Sequence, residues 1–220
     1  DYKVTGVQTG ALPIYGGSMT RRAGKLAPAP GEPEDVRSQV EATVLFADIC
    51  GSTQLFEKFG DWQARQIESR VMDLLAATSA EFDGAVVKII GDAIMCRFAG
   101  PERAIEAACA MQRAIKEEPS FLELEIAVKV GVHHGSVLVE QGDLYGDAVN
   151  VAARVVELAK ADQIITTVDT VRQLPDDLEA MTRSLGSWWV RGKQGEVEIV
   201  EVIWQEFANL THRSEEHTSE

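Results

Sequence analysis

Apolar residues along this chain come in short blocks, and the spacing within each block predicts its structure. Residues 43–49 (TVLFADI) are a mostly apolar, partly β-branched run stopped by Gly51-Ser52-Thr53, which predicts a buried strand. From 61 to 82 the spacing turns helical, with Ile67, Val71, Leu74 and Leu75 on one side, and Asp83-Gly84 ends the helix. Residues 85–90 and 93–98 are two apolar runs separated only by Gly91-Asp92, the signature of a tight type II′ hairpin. Gly100-Pro101 opens a second helix with Pro at its first position and Ile105, Ala108, Met111 and Ile115 on one face.

Strict alternation occupies 125 to 133. Ile126, Val128, Val130 and Val132 face one way, Lys129 and His133 the other, and 135–139 extends this half-buried strand. A turn is expected at 141–143, a third helix at 148–160 and another strand at 163–168. The last apolar stretch, 188–204, reads as a hairpin around Lys193-Gln194-Gly195, with one of Trp188 and Trp189 in the core and the other on the surface. The order is β-α-β-β-α-β with an α/β extension, an α+β chain with a ferredoxin-like core. That arrangement hosts many functions, so function has to come from particular residues.

The ends differ from the middle. Residues 1–14 (DYKVTGVQTGALPI) and 213–220 (RSEEHTSE) resemble translated sequencing-adapter read-through, and 24–38 is a linker rich in Pro, Gly and charge. The expected division is an adapter-like tail and disordered linker at 1–38, one domain at 39–207 and a disordered tail at 208–220. A chain of 220 residues, 45% hydrophobic and 25% charged, suits a single globular domain rather than a disordered one. It shows no apolar stretch of membrane-spanning length and no signal-peptide pattern. Cys50, Cys96 and Cys109 are odd in number and lack ligand spacing, which argues against disulfides and zinc and for a reducing, cytoplasmic setting. A net charge of −14 repels a nucleic-acid backbone and excludes wholesale DNA or RNA binding. It repels a nucleoside triphosphate too, unless metal ions and placed cations intervene.

Two carboxylates sit where strands stop: Asp48 at the end of the first, Asp92 in the turn of the next hairpin. In a βαββ arrangement the first strand lies beside the third, which brings these positions together. Close carboxylates repel unless cations lie between them, and magnesium favours one or two protein carboxylates plus substrate phosphates. Singly, each Asp is an ordinary turn residue; as a pair they point to metal. On the third helix Asn150 and Arg154 are four apart and share a face, with Val149, Ala152 and Val156 on the apolar side. An amide and a guanidinium projecting together suit a ribose oxygen and a phosphate, although a solvated helix face has the same composition. His133 and His134 are adjacent on a strand, so they point to opposite faces and cannot share one ion.

FADICGST, VVKIIGDAIMCRF and DLYGDAVNVAARV occur in that order with fitting separations, and VRGKQGEVEIVEVIW comes after them. Together they resemble the signature blocks of the class III adenylate and guanylate cyclases, over nearly all of the globular part and closest to the compact bacterial type. The resemblance implies a nucleotide cyclase fold. It implies metal binding by Asp48 and Asp92, with Ile49 lending a backbone carbonyl. It further implies that Lys88 and Asp143 read the adenine edge, that Asn150 and Arg154 orient the ribose and stabilise the transition state, and that Arg191 binds the triphosphate. Relatives that use GTP resemble Glu and Cys at the positions of Lys88 and Asp143.

The activity this resemblance implies is that of an adenylate cyclase, which converts ATP to 3′,5′-cyclic AMP and pyrophosphate with two Mg²⁺ per site, for which Mn²⁺ can substitute. Its sites are shared across a homodimer, and a regulatory domain is expected beyond this fragment. No nucleic acid or membrane partner is implied. Three alternatives stay open: a guanylate cyclase, a silent nucleotide-binding regulatory module, and a phospho-acceptor receiver domain built on Asp48. The last needs an acidic pair at an earlier strand end, where this chain has only its Pro-rich linker.

Overall fold

The computed structural model describes residues 38–189 and 195–205. The proposed tails outside that range, Arg191, and the Lys193-Gln194 part of the expected turn lie outside the described residues. The elements run β1 (Ser38–Ile49), α1 (Ser52–Glu81), β2 (Ala85–Ile90), β3 (Ala93–Phe98), α2 (Pro101–Glu117), α3 (Pro119–Glu123) and β4 (Val128–Glu140). They continue with β5 (Asp143–Tyr145), α4 (Asp147–Leu158), β6 (Ile164–Thr167), α5 (Val168–Val171), α6 (Asp176–Glu179), β7 (Thr182–Trp189) and β8 (Glu196–Val202).

The strands make one sheet in the order β2-β3-β1-β4-β6-β8-β7, with β5 added to β4. The first four positions are the ferredoxin-like arrangement expected from the element order, and β6, β8 and β7 are the extension. Pairing is antiparallel except between β4 and β6.

Alternation along β1 divides the core between the two faces of the sheet. Leu45, Ala47 and Ile49 pack with Leu75 of α1 and Ile105, Ala108, Met111 and Ile115 of α2. Ala42, Val44 and Phe46 pack on the other face with Ala148, Ala152 and Val156 of α4. Each fully buried aliphatic side chain contributes roughly 1.5–3 kcal/mol. Gly131 of β4 is what lets α4 lie so close: a Cβ there would sit 2.4 Å from the Val156 backbone nitrogen.

Several boundaries differ from the sequence pattern. β1 begins at Ser38 rather than 43, because β4 is thirteen residues long and pairs with β1 back to Ser38↔Val139. α1 begins at Ser52 rather than 61; Gly60 (φ 73°, ψ 166°) breaks it there, so the expected helix is its second segment. β4 begins at Val128 rather than 125, because the Ile126 N–H closes the end of α3 on Phe121 and Glu125 takes a positive φ of 55°. The turn before β5 is only Gln141-Gly142, both at positive φ as a type I′ turn requires, so Asp143 is already in a strand. The expectation of one core tryptophan fails: β7 is the edge strand, and Trp188 and Trp189 are 46% and 74% exposed.

Candidate active site

Asp48 is the next-to-last residue of β1, and the antiparallel register sets Ala93 of β3 opposite it. The Ile49 N–H donates to the Asp92 carbonyl at 3.2 Å, so the β2–β3 turn folds against the end of β1. This bond and the β1–β3 register hold the Asp92 backbone beside the end of β1. Burial pushes the Asp48 carboxyl up; a hydrogen bond and the charge of Lys129 oppose that, and the nearby Asp92 carboxylate adds to it.

Lys129 was not anticipated as part of the site. It stands directly across from Asp48 in the β1–β4 register, and its Nζ lies 3.0 Å from Asp48 Oδ2. The alternation through Val128, Val130 and Val132 does assign it to the polar side of its strand. Nothing local, however, says which residue of β1 it will face.

Lys88 lies opposite Met95, which packs on the α4 side of the sheet with Phe46. Asp48 is two residues beyond Phe46 and shares that face. Lys88 Nζ donates to both carboxylate oxygens of Asp143, each at 2.8 Å, and stands 5.9 Å from the Tyr145 ring centroid. Partial burial alone would raise the Asp143 carboxyl. Hydrogen bonds from Lys88, the Leu144 N–H and Tyr145 outweigh it and hold the group below the usual carboxylate range.

Asn150 and Arg154 lie on α4, whose buried side chains are Ala148, Val151, Ala152, Val155 and Val156. At 3.6 residues per turn, Asn150 and Arg154 fall on the opposite side of the helix, pointing away from the sheet that carries Asp48. Asn150 is exposed, and Arg154 Nη1 donates to Glu157 at 2.8 and 2.9 Å. Within one chain Asp48 and Lys88 therefore share a sheet face, while Asn150 and Arg154 are aimed away from it. Arg191, outside the described residues, cannot be placed.

Among the described residues no group of three or more His, Cys, Asp or Glu side chains forms a metal cage. Two carboxylates and the Ile49 carbonyl are an all-oxygen donor set, which fits a hard ion such as magnesium that completes its shell with water and phosphate. His133 and His134 have structural partners instead: their Nδ1 atoms are 2.8 Å from the hydroxyls of Thr167 and Thr43. Cys96 and Cys109 are buried core residues. No helix among the described residues is long and apolar enough to cross a membrane.

Among curated proteins, the chain is 34% identical over 128 residues to a putative adenylate cyclase 3 of Rhizobium meliloti, covering 57% of this chain and 22% of that protein. It is 28% identical over 167 residues to an adenylate cyclase of Glutamicibacter nicotianae, covering 76% and 40%. This chain thus spans well under half the length of these relatives. Among solved structures, the adenylyl cyclase CyaB from P. aeruginosa superposes with a TM-score of 0.68 at 19% identity, over 76% of this chain and 95% of that one. This confirms the nucleotide cyclase fold. The family model for the adenylate and guanylate cyclase catalytic domain matches residues 35–203, and the chain belongs to that family.

Proposed function

We propose that this domain is the catalytic part of an adenylate cyclase, converting ATP to 3′,5′-cyclic AMP and pyrophosphate at sites shared between two copies of the chain. The observation that carries this reading is the separation of the site residues. Asp48 stands at the end of β1 beside the β2–β3 turn that carries Asp92, on the face of the sheet that α4 covers, while Asn150 and Arg154 face outward from α4. A complete site then needs Asp48 and Asp92 of one copy to face Lys88, Asp143, Asn150 and Arg154 of another. Ile90 of β2, on the same face as Lys88, and Tyr145 of β5, whose ring lies 5.9 Å from Lys88 Nζ, are large apolar side chains left 51% and 47% exposed, of the kind a second copy covers.

The residues divide the work. Asp48, Asp92 and the Ile49 carbonyl would hold Mg²⁺, or Mn²⁺ in its place. The ions' contribution when bound is to acidify the ribose 3′-hydroxyl and to neutralise the triphosphate. Asn150 orients the ribose so that the 3′-oxygen lies in line with the α-phosphorus. Arg154 leaves Glu157 to neutralise charge on the α-phosphoryl oxygens, and removing such a group costs about 10²- to 10³-fold in rate.

Asp143 and Lys88 read the base. Held below its usual range, Asp143 stays an ionised acceptor for the adenine amino group at neutral pH, while Lys88 donates to a ring nitrogen. Their ion pair preorganises both groups. Arg191 is assigned to the triphosphate.

The test mixes two inactive chains. Asp48→Ala and Arg154→Ala are each expected to be nearly dead, and the mixture to regain part of the activity because one of its two sites is intact. Cyclic nucleotide is assayed from ATP and from GTP, with ATP preferred. No recovery on mixing refutes the shared site, and a GTP preference refutes the base assignment in favour of a guanylate cyclase. Nucleotide binding without turnover in the parent chain would identify a silent regulatory module.

A further inference from the structure

Asp48 is flanked on both sides. Toward β3 lies Asp92, its charge near enough to perturb Asp48. Toward β4 lies Lys129, directly opposite in register, with Nζ 3.0 Å from Oδ2. The side chains of Lys129 and Asp48 are only 23% and 22% exposed, so salt does not screen their attraction as it would a surface pair. Pairing between β1 and β4 continues one residue further, to Ile49↔Val128, which keeps the ammonium beside the carboxylate.

From this geometry we infer that Lys129 makes metal binding conditional on nucleotide: it acts as a built-in counter-cation that keeps Asp48 and Asp92 from holding a divalent ion tightly on their own. The inference rests on the proposed metal site and adds regulation to it. The two aspartates carry two negative charges and Lys129 returns one, so an arriving ion meets a site of net charge −1 with one Asp48 oxygen already engaged. The ion must displace the ammonium or sit beside it, and both positions place like charges within a few ångströms. A triphosphate carries enough negative charge to remove that penalty. Nucleotide then tightens metal binding and, by linkage, metal tightens nucleotide binding by the same factor. Lys129 is in this sense a positioning residue, coupling the two binding steps.

The experiment measures Mn²⁺ binding to the full chain at pH 8 from the free-ion electron paramagnetic resonance signal, with and without a non-reactive ATP analogue. A neighbouring positive charge repels a divalent ion strongly enough that Lys129→Met should tighten Mn²⁺ binding without nucleotide by about tenfold or more. Lys129→Arg should restore parental affinity, and the analogue should enhance Mn²⁺ binding less in Lys129→Met than in the parent. A merely structural role predicts the opposite sign, since loosening β4 weakens the site. Lys129→Gln repeats the measurement without the charge should Lys129→Met not yield folded protein.

Unchanged or weaker Mn²⁺ binding in the uncharged variants overturns the inference. Asp48→Asn serves as the separate control. If it leaves Mn²⁺ affinity unaltered in both the parent and the Lys129→Met background, the metal-site reading itself fails, and the inference fails with it.

Discussion

Gly131→Ala should separate the two halves of the proposed site within one chain. Gly131 lies on the face of β4 covered by α4, and an added Cβ would stand 2.4 Å from the Val156 nitrogen and 2.7 Å from its Cα and Cβ. The nearest obstacle is helix backbone, which cannot rotate aside as a side chain can. Ordinary contact begins near 3.4 Å, so α4 has to move outward by about 1 Å. Overpacking of this kind costs about 1–3 kcal/mol, a fraction of the stability of a typical domain, so the protein should still fold. Its melting temperature should fall by roughly 2–12 °C.

Asn150 and Arg154 ride on α4, and a displacement of about 1 Å in positioning groups costs about 10²-fold in rate. Asp48 and Asp92 sit on the sheet and do not ride on the helix. Gly131→Ala should therefore lose about two orders of magnitude in kcat while binding Mn²⁺ within about twofold of the parent. Thermal denaturation, steady-state cyclase assays and Mn²⁺ titration on one preparation check all three. Turnover within about threefold of the parent at an unchanged melting temperature would refute the argument that α4 is seated on Gly131.

Two further predictions concern titrating groups. Burial pushes the Cys96 thiol up to about 11 and the Cys109 thiol up to about 12, and burial is also the main reason the half-buried Cys50 is raised. Ellman's reagent at pH 8 should therefore titrate at most one thiol in the native protein, more slowly than free cysteine, and all three in urea; rapid reaction of more than one native thiol would contradict the packing. Asp143 has a folded pKa below its unfolded value, so its contribution is fully present above the unfolded value near 3.8 and is lost as pH falls through the lower folded value. With this partly exposed pair discounted for solvent, Asp143→Asn should cost about 0.5 kcal/mol at pH 7, with the difference from the parent shrinking toward pH 2–3. Urea denaturation at both pH values measures it, and an equal cost at both would mean the carboxylate charge is not the cause.

The parts of this molecule legible in the sequence are those whose signals are local. Gly91-Asp92 between two apolar runs, or Gly100-Pro101 ahead of a periodic stretch, marks an element without knowledge of the rest of the chain, and the structure has β2, β3 and α2 at the expected residues. Asp48 and Asp92 were legible for a similar reason: both stand at element ends, and connectivity alone joins those ends. The missed features depend on pairing between distant residues. Ser38 enters β1 only because Val139, about a hundred positions later, is there to pair with it. Lys129 meets Asp48 only because β1 and β4 pair in one register, and a slip of a single residue would send it to the opposite face. Trp188 and Trp189 are exposed because β7 ends the sheet, a fact about strand order rather than about two aromatic residues. Function divides in the same way. The side chains proposed to do the chemistry lie in motifs a few residues long, whereas Lys129, which restrains Asp48 before ligand arrives, is supplied by long-range register.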